Sequence, residues 1–191
     1  MTIVFCDVSG STALGERLDP EAMRRAMGRY FEEIRLIVER HGGTVEKFIG
    51  DAVMAVFGIP VAHEDDALRA VRAVSEIREH LRALGEQLSV ALSFRTGVNT
   101  GEVVAGEGET LATGDAVNVA ARLEQAAAPG EILIGSETLL LVRDAVTVQP
   151  VESLELKGKR EPVPAFRLVD VDLTADAFAR HLDAPLVRAG A

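Results

Sequence analysis

The sequence is built around Thr2-Ile3-Val4-Phe5-Cys6-Asp7-Val8-Ser9-Gly10-Ser11-Thr12, in which an apolar run passes into a loop of small residues. The β-branched and aromatic residues predict a strand that ends on the carboxylate of Asp7. The small residues predict a loop that opens a helix, where backbone N–H groups can hold phosphate oxygens. An aspartate after a strand is commonly only a turn former, so this stretch alone favours a structural role.

A second stretch supplies another carboxylate at a glycine turn. It reads Glu46-Lys47-Phe48-Ile49-Gly50-Asp51-Ala52-Val53-Met54-Ala55-Val56-Phe57-Gly58 and predicts a hairpin around Gly50-Asp51. Asp7 and Asp51 would then stand at neighbouring strand ends. Two converging carboxylates suit Mg²⁺ or Mn²⁺, which also bind substrate phosphates. The P-loop pattern Gly-x-x-x-x-Gly-Lys-Ser/Thr does not occur in the sequence, which excludes that kind of phosphate site.

Length and composition limit the class of protein. The 191 residues suffice for one sizeable domain with its own core. A formal net charge of −10 argues against nucleic acid as a partner, because such binding needs a broad basic face. The single cysteine, Cys6, excludes an internal disulfide, suggests a reducing compartment and lies in an apolar run that favours burial. No apolar run approaches the ~18 residues of a spanning helix and no leader precedes the first strand, so we expect a cytoplasmic protein without a membrane partner.

The periodicities predict an α+β fold. A helix is expected after the Asp19-Pro20 cap, followed by the hairpin, a second helix that ends at Gly85, and a strand over residues 90–98. The order βαββαβ predicts a ferredoxin-like sandwich with helices on one face of the sheet. A C-terminal αβ extension follows, with a helix over residues 115–128 and a last hairpin that joins residues 146–157 to 163–169.

A third stretch carries polar residues at helical spacing. It reads Ala112-Thr113-Gly114-Asp115-Ala116-Val117-Asn118-Val119-Ala120-Ala121-Arg122-Leu123-Glu124-Gln125. Asn118 and Arg122 are four residues apart and would share a helix face. An amide beside a guanidinium can position a sugar and stabilise charge on a phosphoryl group, although a solvated polar face has the same pattern. Asp115 is expected to be the N-cap of this helix.

Together these motifs resemble the catalytic domain of class III nucleotidyl cyclases, most closely the bacterial adenylate cyclases and their soluble mammalian relatives. The resemblance covers residues 1–170 and follows the family's motif order, including Arg95-Thr96-Gly97-Val98-Asn99-Thr100-Gly101. It implies an adenylate cyclase that converts ATP to 3′,5′-cyclic AMP and pyrophosphate. It also implies a homodimer in which each active site is shared between the two subunits.

On one side of such a site, the resemblance implies two Mg²⁺ or Mn²⁺ ions held by Asp7 and Asp51, with the backbone of Val8 assisting. Arg95 resembles the family's triphosphate-binding arginine. The loop that would receive the terminal phosphate oxygens consists of Ser9, Gly10, Ser11 and Thr12.

The other subunit would complete the site. Lys47 resembles the lysine that reads adenine, Asn118 the residue that orients the ribose, and Arg122 the arginine that stabilises the transition state. Lys157 stands where the family has its phosphate-binding lysine, and Lys159 is a poorer candidate.

One position departs from the family pattern. Seven residues before Asn118, where Asp or Thr usually accepts from the adenine amino group, this sequence has Leu111. Guanylate cyclases typically carry Glu at the position of Lys47, so ATP is the expected substrate. The alternatives are a guanylate or relaxed-specificity cyclase and a non-catalytic nucleotide-binding regulatory domain. A diguanylate cyclase shares the sheet topology but has no place for Asn118 and Arg122.

Residues 171–191 are expected to form a tail. It resembles the link from such cyclase domains into a following ATPase or regulatory module, and a frayed terminus is an equal alternative.

Overall fold

The computed structural model describes residues 1–9, 19–88, 93–105, 112–155 and 162–174. Within these ranges the helices and strands follow in this order: β1 (Thr2–Ser9), α1 (Pro20–Arg40), β2 (Gly43–Ile49), β3 (Ala52–Phe57), α2 (Asp66–Leu88), β4 (Ser93–Thr100), β5 (Val104–Ala105), β6 (Ala112–Thr113), α3 (Asp115–Ala126), β7 (Ile132–Gly135), α4 (Ser136–Val142), β8 (Val146–Pro150) and β9 (Ala165–Val171).

Seven of these strands form one sheet in the order β2-β3-β1-β4-β7-β9-β8. Strand β1 pairs antiparallel with both β3 and β4, and only the β4–β7 pair is parallel among the described ladders. The α+β class and the βαββαβ order are therefore confirmed, and β7, α4, β8 and β9 extend the sheet on one side. Strands β5 and β6 form a separate small ribbon.

The two faces of the sheet are covered by different helices. Alternate residues of β1, among them Val4 and Cys6, pack in one core cluster with α1 and α2. Ile3 and Phe5 point to the opposite face and pack with Ala120 of α3. The expectation of helices on one face thus holds for α1 and α2, whereas α3 covers the other face.

Helix α3 lies on the sheet at very close range. A Cβ atom built on Gly97 of β4 would lie 2.2 Å from the carbonyl oxygen of Ala120 and 2.4 Å from the backbone nitrogen of Glu124. Only a residue without a side chain permits this approach, so Gly97 fixes the height of α3 above β4.

Several predicted boundaries are wrong. Strand β1 continues past Asp7 to Ser9, β4 ends at Thr100, α3 ends at Ala126, and the last strand spans Ala165–Val171. Helix α2 continues through the buried Gly85 to Leu88, since one glycine costs only about 1 kcal/mol in a helix interior. The N-cap of α3 is Gly114 rather than Asp115, which is the first helical residue. The last hairpin has a shorter first strand, which ends at Pro150. Among the helices of the described ranges, none is both long and apolar enough to cross a membrane.

Candidate active site

The ends of β1, β3 and β4 bring the first group of predicted site residues together. In the sheet register Asp7 lies between Ala52 of β3 and Arg95 of β4. Asp51 directly precedes Ala52, in the turn that joins β2 to β3, and its backbone carbonyl accepts a 3.4 Å hydrogen bond from the hydroxyl of Tyr30. Both carboxylates consequently belong to the same end of the sheet.

Arg95 links two carboxylates. Its Nη2 donates a hydrogen bond to Oδ2 of Asp7 and lies 3.2 Å from Oε1 of Glu124. The hydrogen bond to Asp7 is the main cause that raises the pKa of Arg95, and the charges of Glu124 and Asp51 add to it. The guanidinium is therefore held firmly in its charged form at this edge of the sheet.

Glu124 is a site residue that the sequence reasoning missed. Its side chain is only 9% exposed, and burial is the main cause that raises the pKa of its carboxyl. The charges of Asp7 and Asp51 raise this pKa further, while Arg95 opposes them. A signal was available, because Glu124 falls on the apolar stripe of α3, four residues after Ala120 and next to Leu123.

The charges in this group favour a divalent cation. Asp7, Asp51 and Glu124 are negative and lie within electrostatic range of one another, and Arg95 is the cation that they surround. Within the described part of the chain, no three His, Cys, Asp or Glu side chains form a cluster that could enclose a metal ion. Two carboxylates with places left for water and phosphate still fit Mg²⁺ or Mn²⁺, which are seldom fully enclosed by protein.

The structure does not bring Asn118 and Arg122 to this group. Both are exposed on α3, on the side away from the buried Glu124, and Nη1 of Arg122 donates a 2.9 Å hydrogen bond to Oε1 of Gln125. They do share one helix face, as their spacing predicts. Helix α3 thus carries Glu124 on the side that packs against the sheet, and Asn118 and Arg122 on the exposed side.

Lys47 lies in β2, opposite Met54 of β3. Its side chain is 39% exposed, and its Nζ is 3.2 Å from Oε1 of Glu46. Glu46 is not among the site residues predicted from the sequence.

The remaining predicted site residues are described only in part. Val8 is buried in β1, and Ser9 ends this strand. The other predictions lie outside the described residues and concern Gly10, Ser11, Thr12, Leu111, Lys157 and the alternative Lys159. Most of the predicted tail, residues 175–191, also lies outside them.

Comparison with known proteins identifies the family. Residues 1–169 match the sequence model described as the adenylate and guanylate cyclase catalytic domain. The chain belongs to this family. Among relatives of the cyclase domain is adenylate cyclase 1 of Rhizobium meliloti, which is 33% identical over 110 residues, or 56% of this chain. That match spans 16% of the Rhizobium protein, so the chain corresponds to a small part of this curated relative.

Solved cyclase structures share this architecture over most of the chain. The adenylyl cyclase CyaB from P. aeruginosa superposes with a TM-score of 0.80 at 35% identity, covering 88% of this chain and 93% of that one. The guanylyl cyclase Cya2 superposes with a TM-score of 0.79 at 34% identity, covering 89% of this chain and 91% of that one. The chain therefore has the cyclase fold, and its sequence identity to the adenylyl cyclase is almost the same as that to the guanylyl cyclase.

Proposed function

We propose that the chain is the catalytic domain of an adenylate cyclase, which converts ATP to 3′,5′-cyclic AMP and pyrophosphate. The observation that carries this proposal is the grouping of Asp7, Asp51 and Arg95 at one end of the sheet. Carboxylates that can bind divalent cations, beside a guanidinium that can bind phosphate oxygens, are what a nucleoside triphosphate requires. The family match supports the class of reaction.

The active site would be shared by two copies of the chain. Asn118 and Arg122 are exposed on α3, whereas Glu124 of the same helix is buried against the sheet. The groups proposed to bind ribose and to stabilise the transition state therefore face away from the carboxylates of their own subunit. A second copy placed against α3 would receive them and complete both sites.

In the reaction, the ribose 3′ oxygen transfers its proton to water or to a phosphate oxygen of the substrate and forms a bond to the α-phosphorus. The bond from that phosphorus to the pyrophosphate oxygen breaks. Asp7 and Asp51, with the backbone carbonyl of Val8, would hold two Mg²⁺ or Mn²⁺ ions. When bound, such ions neutralise triphosphate charge and lower the pKa of the attacking hydroxyl. Arg95 and the Ser9–Thr12 loop would bind the phosphate oxygens and keep the leaving group in line.

The second copy would supply the remaining groups. Asn118 would orient the ribose, and Arg122 would stabilise the negative charge that develops on the phosphoryl group. Lys157 would bind phosphate oxygens. Lys47 would donate to an acceptor on the adenine ring, which makes it the main basis for choosing ATP over GTP.

A guanylate or relaxed-specificity cyclase is the second candidate. It is favoured by the nearly equal similarity of the chain to CyaB and to the guanylyl cyclase Cya2. Leu111 also favours this candidate. Its apolar side chain cannot accept a hydrogen bond from the adenine amino group, and the loss of such a hydrogen bond costs about 1–3 kcal/mol of binding free energy.

The test is a cyclase assay with purified protein, using ATP or GTP with Mg²⁺ or Mn²⁺ and measuring the cyclic product against protein concentration. We expect cyclic AMP as the main product and a specific activity that rises with concentration, because the site forms only in the dimer. Cyclic GMP as the main product would support the second candidate, and full specific activity of protein that analytical ultracentrifugation shows to be monomeric would refute the shared site.

A variant tests the carboxylates. Asp51→Ala should abolish turnover and leave dimerisation unchanged in analytical ultracentrifugation. The matched control is Asp170→Ala, because Asp170 is exposed on β9, beyond β4 and β7 from β1. Full activity of Asp51→Ala would remove the proposed metal site, and equal loss in both variants would indicate a general effect on folding.

A further inference from the structure

Strand β2 contains an irregularity at Glu46. Val45 pairs with Ala55 of β3, and the next paired residue, Lys47, lies opposite Met54, so Glu46 is an extra residue in the ladder. A bulge of this kind bends a strand and changes the direction of the side chains beside it. The irregularity lies directly beside the residue proposed to read the nucleobase.

The bulge moves Lys47 to the other face of the sheet. Val45 packs with the core cluster under α1 and α2, so strict alternation would place Lys47 on that face as well. Met54, its actual partner, belongs instead to the cluster that packs with α3. Since directly paired residues share a face, Lys47 lies on the α3 side, where Asp7 and Arg95 are also found.

The extra residue carries a buried charge. The Glu46 side chain is 0% exposed, and among the residues that the structure describes neither of its carboxylate oxygens has a hydrogen-bond donor. Within the described ranges, Glu46 forms an ion pair with Lys47, whose Nζ lies 3.2 Å from Oε1. A buried carboxylate is costly unless a cation compensates it, so the ammonium is held close to this position.

The Lys47 side chain remains partly accessible to solvent. Lys47 is 39% exposed, in contrast to its fully buried partner. An unrestrained lysine has a flexible four-carbon stem and can point its ammonium at many acceptors. The pairing with Glu46 restricts that freedom, and the partial exposure of Lys47 leaves room for a second acceptor to approach.

We propose that Glu46 is a positioning residue that fixes the ammonium of Lys47 for adenine and thereby sets the preference for ATP over GTP. This inference rests on the proposed function. Adenine has an unprotonated N1 that accepts a hydrogen bond, whereas guanine has a proton on N1 and an acceptor oxygen on C6. A fixed ammonium beside N1 distinguishes the two bases. A mobile one can move to the guanine oxygen and bind either base.

The experiment measures kcat and KM for ATP and for GTP in wild-type protein, Glu46→Gln and Glu46→Met. Both substitutions keep the approximate volume and remove the buried charge. The Lys47 side chain that loses its partner is 39% exposed, so water can hydrate its ammonium and no buried charge is left unpaired. We expect the ratio of kcat/KM for ATP to that for GTP to fall about tenfold in each, mainly through KM for ATP. The matched control is Glu137→Gln on α4, an exposed glutamate, which should leave the ratio unchanged.

A double-variant cycle separates positioning from a structural role. In a Lys47→Met background, Glu46→Gln should have no further effect on the ratio, because there is no ammonium left to position. A merely structural Glu46 would change the melting temperature and leave the ratio as it is in the wild type.

The outcomes are distinguishable. If the wild type forms cyclic AMP but folded Glu46→Gln and Glu46→Met keep its ratio, the role of Glu46 is overturned and the proposed function stands. If the same fall in the ratio occurs with and without Lys47, Glu46 does not act through the ammonium. If the wild type forms no cyclic product, the proposed function fails and this inference fails with it.

Discussion

Replacement of Gly97 by alanine should push α3 off the sheet. The added Cβ would lie 2.2 Å from the Ala120 carbonyl oxygen and 2.4 Å from the Glu124 nitrogen, against 3.4–4 Å for ordinary contact. Both obstructing atoms belong to the backbone and cannot rotate away, so the helix has to move by roughly 1 Å.

The expected cost follows from overpacking, which destabilises folded proteins by about 1–3 kcal/mol. Because the neighbours of Gly97 are backbone atoms, we expect the upper end, about 3 kcal/mol. For a protein of this size that corresponds to a fall of about 6–12 °C in melting temperature. Cyclase activity should fall more steeply, by about a hundredfold, because a 1 Å displacement of catalytic groups can have that effect.

Urea and thermal unfolding followed by circular dichroism measure the stability, and the cyclase assay measures the activity. The matched control is Gly28→Ala on α1, where a Cβ would meet no atom of the described residues within 4 Å. That variant should gain about 0.5–1 kcal/mol, since alanine is favoured over glycine in a helix interior. A Gly97→Ala protein within 0.5 kcal/mol of the wild type, and equally active, would refute the close contact between α3 and β4.

Two other predictions concern titrating groups. Burial raises the pKa of the Cys6 thiol to about 12, so at pH 8 a thiol reagent should label the protein only after unfolding in urea; rapid labelling of the native protein would contradict this. The pKa of the Glu124 carboxyl is raised above its ordinary value of 4.5, chiefly by burial, so the folded state binds the carboxyl proton more tightly than the unfolded state does. The free energy of unfolding therefore falls as the pH rises from the unfolded-state pKa to the folded-state pKa. Glu124→Gln has no titrating carboxyl at this position. In urea titrations, the free energy of unfolding of this variant relative to that of the wild type should therefore increase from pH 4 to pH 6. A difference between the two proteins that does not change with pH would be evidence against the raised pKa.

Local patterns were sufficient to predict most of the fold. The β-branched and aromatic run before Asp7 and the turn at Gly50-Asp51 predict a carboxylate near the end of each strand, and antiparallel pairing of β1 with β3 brings these ends together. The spacing of Asn118 and Arg122 likewise predicts a shared helix face. These features depend on residues close in sequence, where the helical and strand periods apply.

What escaped prediction depends on contacts between distant segments. The closeness of Arg95 to Glu124 requires α3 to lie on β4, which in turn requires Gly97 at the crossing point. The direction of Lys47 requires a ladder irregularity at Glu46, and strand patterns carry no mark of such a shift. The side of the sheet that α3 covers is set in the same way by tertiary packing.

The contact between α3 and β4 has a mechanical consequence. Most helices pack on a sheet through a layer of side chains, which can change rotamer and accommodate small movements. Between Gly97 and the backbone of Ala120 and Glu124 there is no such layer, so the helix and the strand contact each other through backbone atoms. A displacement of α3 by a group bound to its exposed side should therefore move β4, which carries Arg95, by nearly the same distance.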